Sequence, residues 1–413
     1  MKKSRLLVIL LAAAFLFGAC APSVESKSSE ETPTAVIPEG TDYDNRFGMN
    51  YDNIIETKDC YYVKFSRSTY LFYYDKASGE SGVLCGKPEC MHDSSTCPGN
   101  ISNLCATLNY WDDRIHYYSN DSSSHAYAVY SMKLDGSDKT RDTVVNDPSV
   151  MKGETPQRLD YHRGKLYGWT NSEIVENGEP MFCARVISID PDSGELKELF
   201  SVKEAEYVSQ PSLCYCGNYV YICCDTSRMS ENGSYYVSVY LMRWNIETEE
   251  LEEVLITDSD ELGCVGSWFQ EYAEPDGRVW FMPKGVAREK GRVYLVENGK
   301  LSEAFRFDNT GSYYLVQRAA VSISVEDALW EIRKLDGSLI YEGELDMSFL
   351  DELDPEEGYK VNAVYSLMGS AEEIFISYYL YAKKDERFTE CLVRYDLTGG
   401  APVPTIIACA DDF

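Results

Sequence analysis

Seven segments of the chain share one pattern, in which a strand-like run ends in a polar turn and a second strand-like run follows. The residues that mark these turns are Asp75, Asp135, Asp190, Asn245, Asn298, Asp336 and Asp396. Successive markers are 38 to 60 residues apart. Aspartate and asparagine suit such turns because their side chains accept hydrogen bonds from nearby backbone, and a following glycine tolerates positive φ. Repetition at this interval is typical of repeat architectures.

A second hairpin precedes several of these units. The segments "NYWDDRIHYYS", "DYHRGKLYGWT", "CYCGNYVYICC" and "EYAEPDGRVWFM" each place apolar or aromatic residues on both sides of a tight polar turn. Two hairpins make four strands, and the 32 tyrosines suit half-buried sheet surfaces. The sequence therefore predicts an all-β fold, a β-propeller of about seven four-stranded blades without a long helix.

Two features of this prediction stay open. The sixth repeat is short at its start, so six or eight blades are alternatives, and tandem β-sandwiches also fit short strands separated by turns. The C-terminal segment "PVPTIIACADDF" predicts a final outer strand. We expect ring closure by packing between the first and last blades, with a further strand near "NRFGMNYDN" as an option.

The N-terminus predicts export. Residues 1–19 carry Lys2, Lys3 and Arg5 ahead of an apolar run that is too short to span a bilayer, which is typical of a cleaved signal peptide. The segment "FGAC" resembles a bacterial lipobox, so we expect Cys20 to carry a lipid, with an ordinary signal peptide as the alternative. Residues 20–42 are rich in Ser, Glu, Pro and Thr and predict a flexible linker, and residues 43–413 predict the propeller domain.

The charge limits the partners. Loss of residues 1–19 would leave 35 basic against 68 acidic residues, a formal charge of −33. Such a surface repels phosphate backbones, which excludes nucleic acid as a partner. It would not hold anionic lipid headgroups either, so we expect attachment to the cell membrane, on its extracytoplasmic side, through acyl chains on Cys20.

The segment "LCGKPECMHDSSTCPG" holds the densest set of reactive side chains. Cys85, Cys90, His92 and Cys97 follow the spacing C-x4-C-x-H-x4-C, on a connection from the outer strand of the first repeat to an inner strand that begins near Leu104. Three thiolates and one imidazole could close a tetrahedral zinc site. A disulfide, Cys85 to Cys90 or Cys90 to Cys97, and reduced thiols with His92 bonded to backbone are the alternatives. We expect the three cysteines to converge in a structural role, with Cys60 and Cys105 as further neighbours.

This segment resembles the "LC-x-KP-x-C-x-H" signature of a group of secreted lipoproteins from clostridia-like anaerobic bacteria. The resemblance covers the signal, the signature loop and, loosely, the repeats. It implies a propeller-like globular part, and it implies no activity, because that group has no assigned function. An anaerobic source would fit the 14 cysteines, which leave an odd number once Cys20 carries a lipid.

Other reactive residues are predicted to be structural. In "CYCGNYVYICC" a turn at Gly217 and Asn218 would set Cys216 opposite Tyr219 and Cys214 opposite Tyr221, so buried free thiols are the preferred interpretation. His116 and His162 lie in strand segments. The segment "DPDSG" at Asp190 resembles the start of a calcium loop, but it predicts a turn in preference to a calcium site.

These patterns predict a binding or interaction module for a protein, peptide or carbohydrate ligand, with zinc as the candidate cofactor. Trp111, Trp169 and Trp268 are candidates for stacking on a ligand, and core packing explains them equally well. The alternative function is an enzyme acting on glycans or peptides with acidic residues at the channel mouth. Three convergent carboxylates would favour that enzyme.

Overall fold

The computed structural model describes residues 53–87, 89–94, 96–101, 107–120, 127–144, 156–229, 235–262, 269–283, 291–309, 311–353, 356–384 and 386–411. The predictions for residues 1–19 and 20–42, including lipid attachment at Cys20, lie outside these ranges, as do Cys105 and Trp268.

The described residues form seven antiparallel sheets, each built from one continuous stretch of chain. Blade 1 contains β1 (Asn53–Glu56), β2 (Cys60–Lys64), β3 (Leu71–Asp75) and β4 (Ser81–Val83). Blade 2 contains β5 (Thr107–Trp111), β6 (Arg114–Asn120), β7 (Tyr127–Lys133) and β8 (Thr140–Val144). Blade 3 contains β9 (Arg158–His162), β10 (Lys165–Glu176), β11 (Glu179–Ile189) and β12 (Leu196–Glu204).

The remaining blades repeat this order. Blade 4 contains β13 (Tyr207–Val208), β14 (Ser212–Cys216), β15 (Tyr219–Met229), β16 (Tyr235–Asn245) and β17 (Glu250–Asp258). Blade 5 contains β18 (Phe269–Ala273), β19 (Val279–Pro283), β20 (Arg292–Glu297) and β21 (Lys300–Arg306). Blade 6 contains β22 (Ser312–Val316), β23 (Ala319–Ser324), β24 (Leu329–Lys334) and β25 (Leu339–Glu344). Blade 7 contains β26 (Tyr359–Gly369), β27 (Glu373–Ala382), β28 (Phe388–Asp396) and β29 (Val403–Asp411).

The fold is therefore a seven-bladed β-propeller, as predicted, and the tandem-sandwich alternative is wrong. Blade 4 has one strand more than predicted, because the two-residue β13 pairs with the end of β15 beyond β14. The described helices are α1 (Ser259–Leu262) and α2 (Phe349–Glu352), of four residues each. None of the described helices is long and apolar enough to cross a membrane.

Each predicted turn marker lies at the turn between the last two strands of its blade, where local hydrogen bonds hold the chain. Asp75 accepts the backbone N–H groups of Ala77 and Ser78 on one carboxylate oxygen, at 3.0 and 2.7 Å. Asp190 accepts those of Asp192 and Ser193 in the same way, which confirms the prediction of a turn there. Because these bonds are local to the turn, the repeat can be recognised from the sequence alone.

The core lies between blades, because alternate residues of each strand face opposite neighbours. Between blades 4 and 5, for example, Val239 and Leu241 of β16 pack with Phe269 and Phe281, whose rings stack at 4.9 Å. Burial of such side chains contributes about 1.5 to 3 kcal/mol each, which makes the blade interfaces the main source of stability.

The ring closes where blade 7 meets blade 1. Phe375 of β27 contacts Tyr61 of β2 edge to face at 5.2 Å, and Ile407 of β29 lies in the same buried cluster. The Tyr61 hydroxyl donates a hydrogen bond to Glu373. Within the described residues no sheet contains strands from both blades, so closure rests on side-chain packing, as predicted.

Candidate metal centre

The chain between β4 and β5 joins blade 1 to blade 2 and carries the Cys-His motif. β5 begins at Thr107, a little later than the predicted start near Leu104. Its described part packs on both blades: the Leu71 N–H donates to the Gly99 carbonyl at 2.9 Å, and the Lys139 ammonium of blade 2 donates to the Asn100 carbonyl at 2.8 Å. The described part of this connection therefore contacts both blades.

Gly99 is needed where this loop returns to blade 1. A Cβ atom there would lie 2.3 Å from the carbonyl oxygen of Leu84, closer than real Cβ contacts come. The neighbouring Ile101 N–H donates to the Thr69 carbonyl at 2.9 Å. These backbone contacts hold the C-terminal end of the segment that carries Cys85, Cys90, His92 and Cys97 against blade 1.

The structure brings the four side chains together. Four candidate ligand atoms lie within 4.8 Å of one another: the sulfur atoms of Cys85, Cys90 and Cys97 and one ring nitrogen of His92. His92 Nδ1 is 3.4 Å from the Cys97 sulfur. Cys97 is buried and the other three are half-buried. His92 has φ of 56°, a left-handed conformation that is uncommon for residues other than glycine and that places its ring in the cluster.

The thiols differ in their electrostatic surroundings. A hydrogen bond from the His92 backbone N–H, helped by the other cysteines and the Lys87 charge, holds the pKa of Cys90 below its ordinary value. Burial raises the pKa of Cys97 to about 11. A bound cation would stabilise both thiolates, since metal coordination deprotonates a thiol.

The donor set fits zinc in type, number and spacing. With Zn–S bonds near 2.3 Å and Zn–N bonds near 2.0 Å, two ligand atoms of a tetrahedron lie about 3.5 to 3.8 Å apart. The His92 to Cys97 separation of 3.4 Å is close to that edge. The outer separation of 4.8 Å requires only a small inward movement of the half-buried side chains.

The alternative interpretations of the motif stay predictions. Cys85, Cys90 and Cys97 are free thiols in this structure, and their mutual proximity suits a disulfide as well as a metal. Cys60 lies on β2 and is not a member of the cluster.

The other singled-out residues have structural positions. The register pairs Cys214 with Tyr221 and Cys216 with Tyr219, as predicted, and both cysteines are buried. His162 Nε2 lies 2.8 Å from the Gly217 carbonyl and must donate to it. Trp169 is buried in the core cluster between blades 3 and 4, so core packing is the correct interpretation for it. Trp111 is half-buried at the end of β5.

Sequence reasoning missed two buried features. Glu271 of β18 accepts a hydrogen bond from the Ser212 hydroxyl of β14, and burial raises its pKa to about 7. Cys391 and Cys409 face each other across β28 and β29. A glutamate between apolar residues in "WFQEYA" was the only local signal for the first, and the strand register that reveals the second is not local.

Comparisons with known proteins find similar solved structures but no protein of similar sequence. No protein-family profile matches the chain, and no curated protein matches it. Among solved structures, the β-propeller domain of the Trilobed protease from Pyrococcus furiosus is 10% identical with a TM-score of 0.38, over 75% of this chain and 97% of that one.

Two peptidases are similar over only part of their length. Dipeptidyl peptidase 4 from Porphyromonas gingivalis is 10% identical with a TM-score of 0.45, over 87% of this chain and 60% of that one. Acylaminoacyl peptidase from Pyrococcus horikoshii is 10% identical with a TM-score of 0.40, over 72% of this chain and 51% of that one. This chain thus spans little more than half of either peptidase, and at these scores the likeness carries no argument about activity.

Proposed function

We propose that this protein is a lipid-anchored, extracytoplasmic β-propeller that acts as a binding or interaction module for a protein, peptide or carbohydrate. A zinc ion held by Cys85, Cys90, His92 and Cys97 would fix the loop between blades 1 and 2. The observation that carries the proposal is the four-ligand cluster on that loop.

The type of cluster favours recognition. Three thiolates and one imidazole fill the four positions of tetrahedral zinc and leave none for water or substrate, which is the pattern of structural zinc sites. A structural metal on a surface loop fixes the loop's shape, and loops on a rigid scaffold are where binding residues concentrate. No observation in the described part of the chain favours the enzyme alternative, so we do not propose it.

Zinc content is the first test. Elemental analysis of protein purified without chelator should give about one zinc per chain, since all four ligands come from one loop. His92→Ala and Cys97→Ala should lower it to near zero, whereas Cys60→Ser, a cysteine outside the cluster, should not. Wild-type protein with no metal and two loop thiols lost to alkylation would support the disulfide instead.

Ligand capture tests the binding function itself. The full chain and its His92→Ala and Cys60→Ser variants would be cross-linked to membrane-fraction extract from the source cells. We expect a component that wild-type and Cys60→Ser protein both retain and that His92→Ala protein loses. Equal capture by all three would contradict recognition through this loop.

Anchoring has its own test. Acyl chains stabilise membrane attachment by about 0.8 kcal/mol per buried methylene, so Cys20→Ala should move the protein from the membrane to the soluble fraction. The Cys60→Ser variant serves as the control and should stay with the membrane. Membrane attachment of the Cys20→Ala variant at the wild-type level would contradict the lipid anchor.

A further inference from the structure

Two cysteines of blade 7 lie opposite each other on its last two strands. Cys391 of β28 and Cys409 of β29 are direct register partners, and their sulfur atoms are 2.7 Å apart. Both are free thiols. The hairpin of β14 and β15 is also rich in cysteine, but no two of its cysteines are register partners. Cys214 and Cys216 each face a tyrosine, and Cys223 faces Ser212.

The backbone already has the separation that a disulfide requires. Directly opposed residues of an antiparallel pair have Cα atoms about 4.5 to 5.5 Å apart. Disulfides span Cα separations of about 4.4 to 6.8 Å. The two strands therefore need no rearrangement for the sulfurs to bond.

The surroundings assign different roles to the two sulfurs. Cys391 is fully buried in the core cluster that blades 6 and 7 share, whereas Cys409 is half-buried at the edge of that cluster. Burial, with a further contribution from Cys409, raises the pKa of Cys391 well above its ordinary value. Cys409 is thus the sulfur that an external reagent reaches first.

We propose that Cys391 and Cys409 are a modification site, oxidised to a cross-strand disulfide that fixes the outer strand of blade 7. The oxidant is a disulfide, either of a thiol oxidoreductase or of a small thiol. The Cys409 thiolate attacks one sulfur of the oxidant and releases the first reduced thiol. Cys391 then loses its proton, attacks the Cys409 sulfur of the mixed disulfide and releases the second. Two protein thiols lose two protons and two electrons, and one oxidant disulfide becomes two thiols.

The strand that the bond would fix is the one that closes the ring. Ala408 and Ala410 of β29 face the opposite way from Cys409, into the cluster that blade 7 forms with blade 1. A covalent tie from β29 to the buried β28 therefore holds one wall of the closing interface. This inference goes beyond the proposed function and does not depend on a ligand.

Peptide mapping gives a direct test. Trypsin cleaves after Arg387 and Arg394, so residues 388–394 and 395–413 separate, with one cysteine each. The folded full chain would be equilibrated with oxidised glutathione, and its remaining thiols blocked during denaturation. We expect the two peptides to appear joined, lighter by two hydrogens than their sum, and to separate on reduction. Blocked, unjoined peptides from folded protein, a stable glutathione adduct on Cys409, or pairing of either cysteine elsewhere would each overturn the proposal.

Thermal unfolding supplies a second readout with a matched control. Closing a loop of 18 residues should raise the Tm of oxidised over reduced protein by about 4 °C in a domain of this size. Cys409→Ala protein should lose that redox-dependent difference, and Cys223→Ala protein, which lacks a buried thiol on β15, should keep it. A redox-dependent Tm difference in Cys409→Ala protein as large as that of the wild type would also overturn the proposal.

Discussion

Glu271 is a buried carboxyl between blades 4 and 5. The Ser212 hydroxyl donates a hydrogen bond to one carboxyl oxygen, and the other oxygen, Oε2, has no hydrogen-bond partner within the described residues. Near it lie Cys214 and Cys223, whose pKa values burial raises well above ordinary. Burial at this site therefore favours the neutral form of the Glu271 carboxyl over the charged carboxylate.

This glutamate predicts a pH dependence of stability. Its folded pKa of about 7 is above the unfolded value of 4.5, so the native state holds the proton more tightly. Stability is therefore complete below the unfolded pKa and falls as pH rises through 7. Between pH 5.5 and 8.5 the wild type should lose about 2 kcal/mol of unfolding free energy relative to Glu271→Gln.

Urea unfolding at both pH values measures this difference. The exposed Glu253 of β17 provides the control, because Glu253→Gln should follow the wild-type pH profile. Parallel profiles for the wild type and Glu271→Gln would show that the carboxyl ionises without cost.

At the scale of elements, Gly168 of β10 permits an unusually close approach to β9. A Cβ atom there would lie 1.9 Å from the carbonyl oxygen of Arg158 and 2.7 Å from a methyl of Leu159. Gly168→Ala must therefore push the inner strand of blade 3 away and should cost about 2 kcal/mol or more. Gly82→Ala on β4, where the new methyl would meet only the Tyr73 side chain, at 3.6 Å or more, should stay within about 0.5 kcal/mol.

Denaturant midpoints of the two variants check this contrast. Equal stability of Gly168→Ala and Gly82→Ala protein would mean that β9 and β10 relax freely around the new methyl group.

Elements were predictable where their causes are local. Six of the seven turn markers, all except Asn298, accept a hydrogen bond from a backbone N–H two or three residues away, as Asp75 does, so their signal is local. The Cys85 to Cys97 cluster was predictable for the same reason, since thirteen residues contain it. The Cys391 to Cys409 pairing escaped notice, because it depends on a register shifted by a bulge beside Leu392. Burial of Trp169 and Glu271 depends on neighbouring blades, which no local pattern encodes.

At the scale of the whole molecule, the interface of blades 7 and 1 differs from the others because, within residues 53–411 as far as they are described, no chain segment connects the two blades directly. Phe375 is fully buried there, and Phe375→Ala should cost about 3 to 5 kcal/mol. Phe281→Ala, in the interface of blades 4 and 5, removes an equally buried ring and should cost a similar amount. We expect local unfolding to begin at the interface of blades 7 and 1 in Phe375→Ala protein and at the interface of blades 4 and 5 in Phe281→Ala protein.

Native-state hydrogen exchange distinguishes them. In Phe375→Ala protein, amides of β2 and β28 should exchange faster than those of blade 4, because the two blades separate locally. In Phe281→Ala protein that order should not appear. Uniform acceleration in both variants would show that the ring opens only by global unfolding.

One continuous stretch of chain per blade also sets an order of assembly. Every strand pairing in the described residues joins nearby segments, so each sheet can form soon after its own residues are synthesised, with little loop-closure entropy to overcome. Blade 1 is made first, yet the surface of Ile54 and Val63 that it buries against blade 7 has no partner until Phe375 arrives. A nascent chain therefore exposes this apolar surface of blade 1 through most of its synthesis. Blade 7, the last blade made, covers that surface and so protects blade 1 from aggregation.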